Sequence, residues 1–178
     1  MSAEDTNATS EPTGYMRITP PPPVPAELRA MVSREREERV FGPRHIWYTV
    51  YGSDKGWAPV VRDGQRTGRL GGGSGIEAAQ IMVVGIPWIW VIVHMQTLGW
   101  KQGWKLAWEG NFVTVGEPGK SKRVEALQLK QDVDDGDICA EAYVQGTGWQ
   151  RKRCARDVTV GTTGQALRME ALGLTVRD

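Results

Sequence analysis

Residues that usually carry chemistry are scarce in this chain of 178 residues, and each scarcity closes off a class of function. Two cysteines, Cys139 and Cys154, cannot supply a disulfide framework or a zinc ligand set. Two histidines, His45 and His94, lie far apart with no ligand spacing around them, so metal and triad chemistry find no support. A net charge of +1 leaves no basic surplus for a nucleic-acid partner. The most apolar stretch, Ile81 to Val93, is too short to cross a membrane and is interrupted by Gly85 and Pro87. It reads as two buried strands meeting at a turn. Met1 to Pro12 is polar and acidic, so no secretory leader is expected.

What the chain has in abundance is glycine, at 22 residues, and tryptophan, at 8. Glycines set among β-branched and aromatic runs predict short strands joined by tight turns. The first 45 residues differ from the rest and read as an arm. Pro20 to Pro25 contains five prolines in six residues, a composition that favours a semi-rigid polyproline II segment. Ala26 to Val40 reads as a short charged helix that Gly42-Pro43 stops. Leu28, Met31 and Val32 give that helix one apolar patch, a candidate anchor for a partner.

From Ile46 onward four landmarks recur in three segments, about 46–84, 89–130 and 138–176. Each segment opens with Ile-Trp or Ile-Cys: Ile46-Trp47, Ile89-Trp90 and Ile138-Cys139. Ten residues after each isoleucine stands Gly-Trp: Gly56-Trp57, Gly99-Trp100 and Gly148-Trp149. A Gly-x-x-Gly turn follows, Gly68 to Gly71, Gly116 to Gly119 and Gly161 to Gly164. Glu-Ala then opens a closing strand at Glu77, Glu125 and Glu170. Fixed spacings with a variable loop between the Trp and the Gly turn are what a repeat architecture predicts. The fold class is therefore expected to be all-β, a three-fold pseudo-symmetric β-prism with one small sheet per segment. A β-trefoil is the alternative.

The third segment, Tyr143-Val-Gln-Gly-Thr-Gly-Trp-Gln150 with Val160-Gly-Thr-Thr-Gly-Gln-Ala-Leu-Arg-Met-Glu-Ala171, resembles the clostridial hydrophobic-W (ChW) repeat. The first two segments resemble it more loosely, since neither Trp57 nor Trp100 is followed by Gln. The resemblance implies a non-catalytic protein that attaches to cell surfaces, carbohydrate or partner proteins, usually exported.

Candidate residues follow from this frame. Trp57, Trp100 and Trp149 could stack an indole on the apolar face of a sugar, with Gln150 beside the third. The competing reading, favoured by their fixed position between strands, has each fill a core or strand-edge pocket. Trp104 and Trp108, four residues apart, form an aromatic stripe if helical and offer a stacking platform. A Glu at a strand start more often accepts hydrogen bonds from turn backbone than acts as an acid, so no catalytic residue is assigned. No cofactor is implied. Arg151 to Arg156 reads as a solvated basic loop. A single bridge between Cys139 and Cys154 is open to the chain, but Cys139 aligns with Trp47 and Trp90 and is expected to be a buried thiol, with Cys154 in a variable loop.

These features point to a non-enzymatic structural or adhesive protein, with the arm as anchor and the β domain facing outward. A phage virion decoration, fibre or minor tail component would combine those parts, placing the chain on a virion surface. Its partners would be other assembly subunits through the arm and a cell-wall polysaccharide, with a homo-oligomer compatible and no membrane insertion. A stand-alone lectin-like module on a Gram-positive cell surface is the alternative.

Overall fold

The computed structural model describes residues 44–100, 103–131 and 136–177. The Pro-rich run, the segment expected to form a charged helix and its Leu28, Met31 and Val32 patch lie outside the described residues, as does most of the acidic linker before Gly136. The described part is all-β, with fifteen strands in three antiparallel sheets.

In the first segment β1 (His45–Gly52) turns through β2 (Gly56–Trp57), β3 (Val61–Arg62) and β4 (Arg66–Gly68) to β5 (Ile76–Val84). The second runs β6 (Trp88–Met95), β7 (Gly99–Trp100), β8 (Lys105–Trp108), β9 (Val113–Gly116) and β10 (Val124–Lys130). The third runs β11 (Asp137–Val144), β12 (Gly148–Trp149), β13 (Arg153–Ala155), β14 (Asp157–Gly161) and β15 (Met169–Arg177). The apolar run at Ile81 does break into two strands, β5 and β6, at Gly85 with φ +73°.

The long strands alternate as a half-buried sheet should. Ile46, Tyr48 and Val50 of β1, Ile89, Val91 and Val93 of β6, and Ile138, Ala140 and Ala142 of β11 all enter one core. Leu127, Leu129, Leu172 and Leu174 meet them from the closing strands. Each of the larger side chains stabilises the fold by roughly 1.5–3 kcal/mol through burial.

The three sheets have one strand order: β2-β1-β5-β9, β7-β6-β10-β14 and β12-β11-β15-β4, with β3, β8 and β13 also pairing the opening strand of their own segment. The fourth strand never belongs to the segment it joins. The second segment lends β9 to the first sheet, the third lends β14 to the second, and the first lends β4 to the third. A self-contained sheet per segment is thus corrected: the exchange is cyclic, and each closing strand gains the partner that would otherwise be missing at its edge.

The Gly-x-x-Gly turns make this exchange sterically feasible. At Gly68, Gly116 and Gly161 φ is +116°, +88° and +89°, and a Cβ would sit 2.3, 2.3 and 2.2 Å from the carbonyl oxygens of Glu170, Glu77 and Glu125. Only glycine permits that approach. The next residue along, Arg69, Glu117 or Thr162, donates its N–H to the same carbonyl at 2.9, 2.9 and 2.8 Å.

Tyr48 adds a further seam. Its hydroxyl accepts from the Leu174 N–H of the third sheet at 2.9 Å and donates to the Gln65 carbonyl. Burial pushes this phenol up to about 12.

Candidate functional site

The recurrent tryptophans stand at the sheet edges, outside the core. Trp57, Trp100 and Trp149 occupy the two-residue strands β2, β7 and β12, directly opposite Tyr51, His94 and Tyr143. Each indole meets its partner ring edge to face, with centroids 5.4, 5.4 and 5.7 Å apart and interplanar angles of 79°, 79° and 77°. This arrangement suits the aromatic quadrupole and fixes the ring while leaving it partly in solvent. The bracing residues were missed by sequence reasoning, although a ring six positions before each Gly-Trp tryptophan was a usable signal.

The three edges are not equivalent in access. Above Trp149 the Arg66 guanidinium lies 4.0 Å from the ring centroid. That guanidinium also makes paired hydrogen bonds of 3.0 and 3.1 Å to buried Glu141, which hold its pKa above the ordinary value. Gln150 engages both ends of its amide with Gly161, donating to the carbonyl at 3.0 Å and accepting from the N–H at 2.7 Å. It ties β12 to the start of the third Gly turn.

Trp57 instead forms a wall of an open groove of about 260 Å³. Val50, Ala58 and Pro59 contribute apolar surface, and Asp54, Arg69 and Ser74 converge as polar groups. Arg69 lies 3.8 Å from the Asp54 carboxylate. Hydrogen bonding from Ser74, then the nearby Arg69 charge, holds Asp54 below the usual carboxylate range, so it presents an acceptor at neutral pH.

Trp104 and Trp108 belong to an extended segment and not to a helix: Trp108 ends β8 and Trp104 immediately precedes it. Four residues apart in a strand still means one face. Ala107 is buried in the core, so Trp104, Leu106 and Trp108 point outward. Across the sheet, Trp108 pairs with Trp88 and Leu106 with Trp90. Trp104 and Trp108 are 41% and 50% exposed, among the most accessible large apolar side chains described. Lys105, on the inner side, donates to the Thr114 carbonyl at 2.8 Å, and burial lowers its pKa.

Cys139 and Cys154 form a disulfide, contrary to the expectation of two separate thiols. The reason is that Arg153–Ala155 is no loop but strand β13, whose register sets Cys154 directly opposite Cys139. The alignment of Cys139 with Trp47 and Trp90 itself holds. In the same cross-strand slot Trp47 faces Arg62 and Trp90 faces Leu106. One position of the plan thus carries a cation–π pair with Arg62 5.0 Å from the Trp47 ring, an apolar pair, and a covalent bond.

Two of the three repeated carboxylates serve backbone. Glu77 accepts from the Gly119 N–H and Glu170 from the Gly71 N–H, both at 2.8 Å, each clasping a turn of the neighbouring segment. Glu125 binds Arg123 at 2.9 Å and lies 3.2 Å from His94 Nδ1. No cluster of three metal-ligating side chains occurs among the described residues. No helix among them is long and apolar enough to cross a membrane.

In comparison with known proteins, residues 143–177 match the family model for clostridial hydrophobic W. The matched stretch runs from the last two residues of β11 to the end of β15 and includes Trp149, both glycines of the third turn and Glu170. It is divided between two sheets, because β14 pairs with β10. No curated protein and no solved structure matches the chain.

Proposed function

We propose that this chain is a non-enzymatic binding protein whose β domain takes up cell-surface glycan at braced tryptophans on its sheet edges. The observation that carries the reading is the edge-to-face pair Tyr51–Trp57 beside a groove with convergent polar groups. A ring already fixed by its neighbour loses little freedom when a ligand stacks on it, and a small polar set beside it can orient hydroxyls. Trp57 offers the best such site and Trp100 a second. Trp149, under Arg66, serves the third sheet first.

We further read the three segments as copies of one unit arranged as a β-prism. The common strand order and the cyclic exchange support this. Placement on a phage virion surface, with the arm as anchor to other assembly subunits, is the companion proposal. The Cys139–Cys154 bond supports an oxidising working environment outside the cell. A stand-alone lectin-like module of a Gram-positive bacterium shares that environment, and the arm separates the two. The virion reading requires residues 1–45 for assembly, whereas the lectin reading leaves them dispensable.

Retention of the full chain on purified Gram-positive cell walls tests the glycan reading. Trp57→Ala should weaken retention about tenfold, the loss of one stacking contact, and Asp54→Asn should weaken it further in combination. Circular dichroism of each variant checks that the fold stands. Undiminished retention in a folded Trp57→Ala, Trp100→Ala double variant would remove the proposal.

A further inference from the structure

The residue that follows the Gly-Trp pair differs between the first and third segments, where it is Ala58 and Gln150. The two hold the same place in the backbone. Gln150 donates its N–H to the Ala142 carbonyl of β11 at 2.8 Å, and Ala58 donates its own to the Val50 carbonyl of β1 at 2.9 Å. The second segment's counterpart, at position 101, lies outside the described residues.

Opposite each of them stands the first glycine of a turn. Arg69 and Thr162 donate to the carbonyls of Glu170 and Glu125, and the glycine one step earlier pairs with Ala171 or Ala126. Hydrogen-bonded and non-bonded pairs alternate along an antiparallel ladder, so Gly68 and Gly161 turn their N–H and C=O away from the closing strand. At Gly161 both outward groups are taken by Gln150, whose Oε1 accepts from the N–H at 2.7 Å while its Nε2 donates to the carbonyl at 3.0 Å. Ala58 has no amide to offer. Gly68 is exposed, lines the groove together with Ala58 and Trp57, and meets no side-chain donor or acceptor among the described residues.

The third segment shows what such an edge accepts. A primary carboxamide carries a donor and an acceptor side by side in one plane, the complement of one glycine's C=O and N–H. An ionised carboxylate has no donor and would set its charge against the glycine carbonyl. A single trans secondary amide points its N–H and C=O in opposite directions. In the first segment the receiving groups are already in place. The β4–β15 ladder holds Gly68, and Tyr51 braces the Trp57 ring, so little order is lost when a ligand arrives.

We propose that the Trp57 groove selects a primary carboxamide on its ligand, held by the paired N–H and C=O of Gly68 while the rest of the ligand lies against Trp57. The assignment rests on reading this groove as the ligand site, and it names the group recognised there. Gln150 is then a built-in occupant that keeps the third segment's edge closed.

Backbone amide resonances of the full chain, titrated at pH 7 with N-acetylglutamine methylamide and N-acetylglutamate methylamide, test it. The two probes differ only in carrying a side-chain carboxamide or carboxylate. The glutamine probe should shift Gly68 with an apparent Kd about tenfold below that of the glutamate probe, and Gly161 should stay in place. Ala58→Gln should abolish the Gly68 response, and Gln150→Ala should create one at Gly161. Equal affinity for the two probes, an unmoved Gly68, or an Ala58→Gln chain that responds like the parent would each overturn the proposal. Cell-wall retention separates this proposal from the glycan reading. Full retention of Ala58→Gln with loss in Trp57→Ala would overturn carboxamide selection and leave stacking on glycan intact. A selective Gly68 response in a chain that cell walls do not retain would support the carboxamide and remove only the glycan.

Discussion

The second and third sheets share strand order, a borrowed edge strand and an inward face of aliphatic residues, yet their outer faces have little in common. The third is knitted together by the Cys139–Cys154 bond, the Arg66–Glu141 pair and the Arg66–Trp149 stack. The second carries Trp88, Trp90, Trp104 and Trp108 where the third has those links. The core and the glycine clasps hold the backbone plan, so the outward positions are free to diverge. One face is cross-linked, and the other leaves Trp104 and Trp108 in solvent.

The comparison breaks most severely where both sheets depend on one glycine. Gly161 brings β14 from the third segment onto β10 of the second, and Gly161→Ala places a methyl 2.2 Å from the Glu125 carbonyl. A loss of about 4 kcal/mol is expected in chemical denaturation. Gly164→Ala, at φ +71° with nothing within 4 Å, should cost only about 1 kcal/mol. Equal losses at the two positions would show that left-handed backbone, and not close approach, is what the turn requires.

A smaller effect should separate the sheets. Replacing Cys139 and Cys154 by Ser opens a loop with a sequence separation of 15 and should cost about 3 kcal/mol. Hydrogen exchange should quicken in β12 and β13 and stay unchanged in β8. Equal quickening in β8 would mean that the two faces are mechanically one.

The smallest effect concerns the seam at Tyr48, whose counterparts Val91 and Ala140 are apolar. Tyr48→Phe leaves the Leu174 N–H without its 2.9 Å acceptor and should cost about 2 kcal/mol. With the folded-state phenol pushed up to about 12 from an ordinary value of 10.0, the folded form holds its proton longer than the unfolded one. The associated stability is complete below pH 10 and is lost as pH rises through about 12. Melting temperatures against pH should therefore fall less steeply for Tyr48→Phe, and parallel slopes would refute the assignment.

Much of the strand plan was legible because alternation and spacing are local properties. The recurring Ile, Gly-Trp, Gly-x-x-Gly and Glu-Ala landmarks placed the strands, and Gly85 marked the break between β5 and β6. The pairing of Glu77 and Glu170 with turn backbone also follows from residue type, since a carboxylate at a strand start seeks N–H donors. The candidate site was read less fully. Trp57 was visible, but Tyr51, Asp54, Arg69 and Ser74 reach it from three different stretches of chain. The disulfide was misread because β13 looks like a polar loop until its register with β11 is known.

The sequence by itself determined that this chain alternates into short strands around one apolar face, because side-chain period and glycine conformation act over a few residues. Tertiary structure alone decided which segment lends its edge strand to which sheet, and therefore what each outward slot faces. A strand carries no label for its partner: the cyclic exchange is chosen by three closing strands that each gain a neighbour only when all three segments are present together.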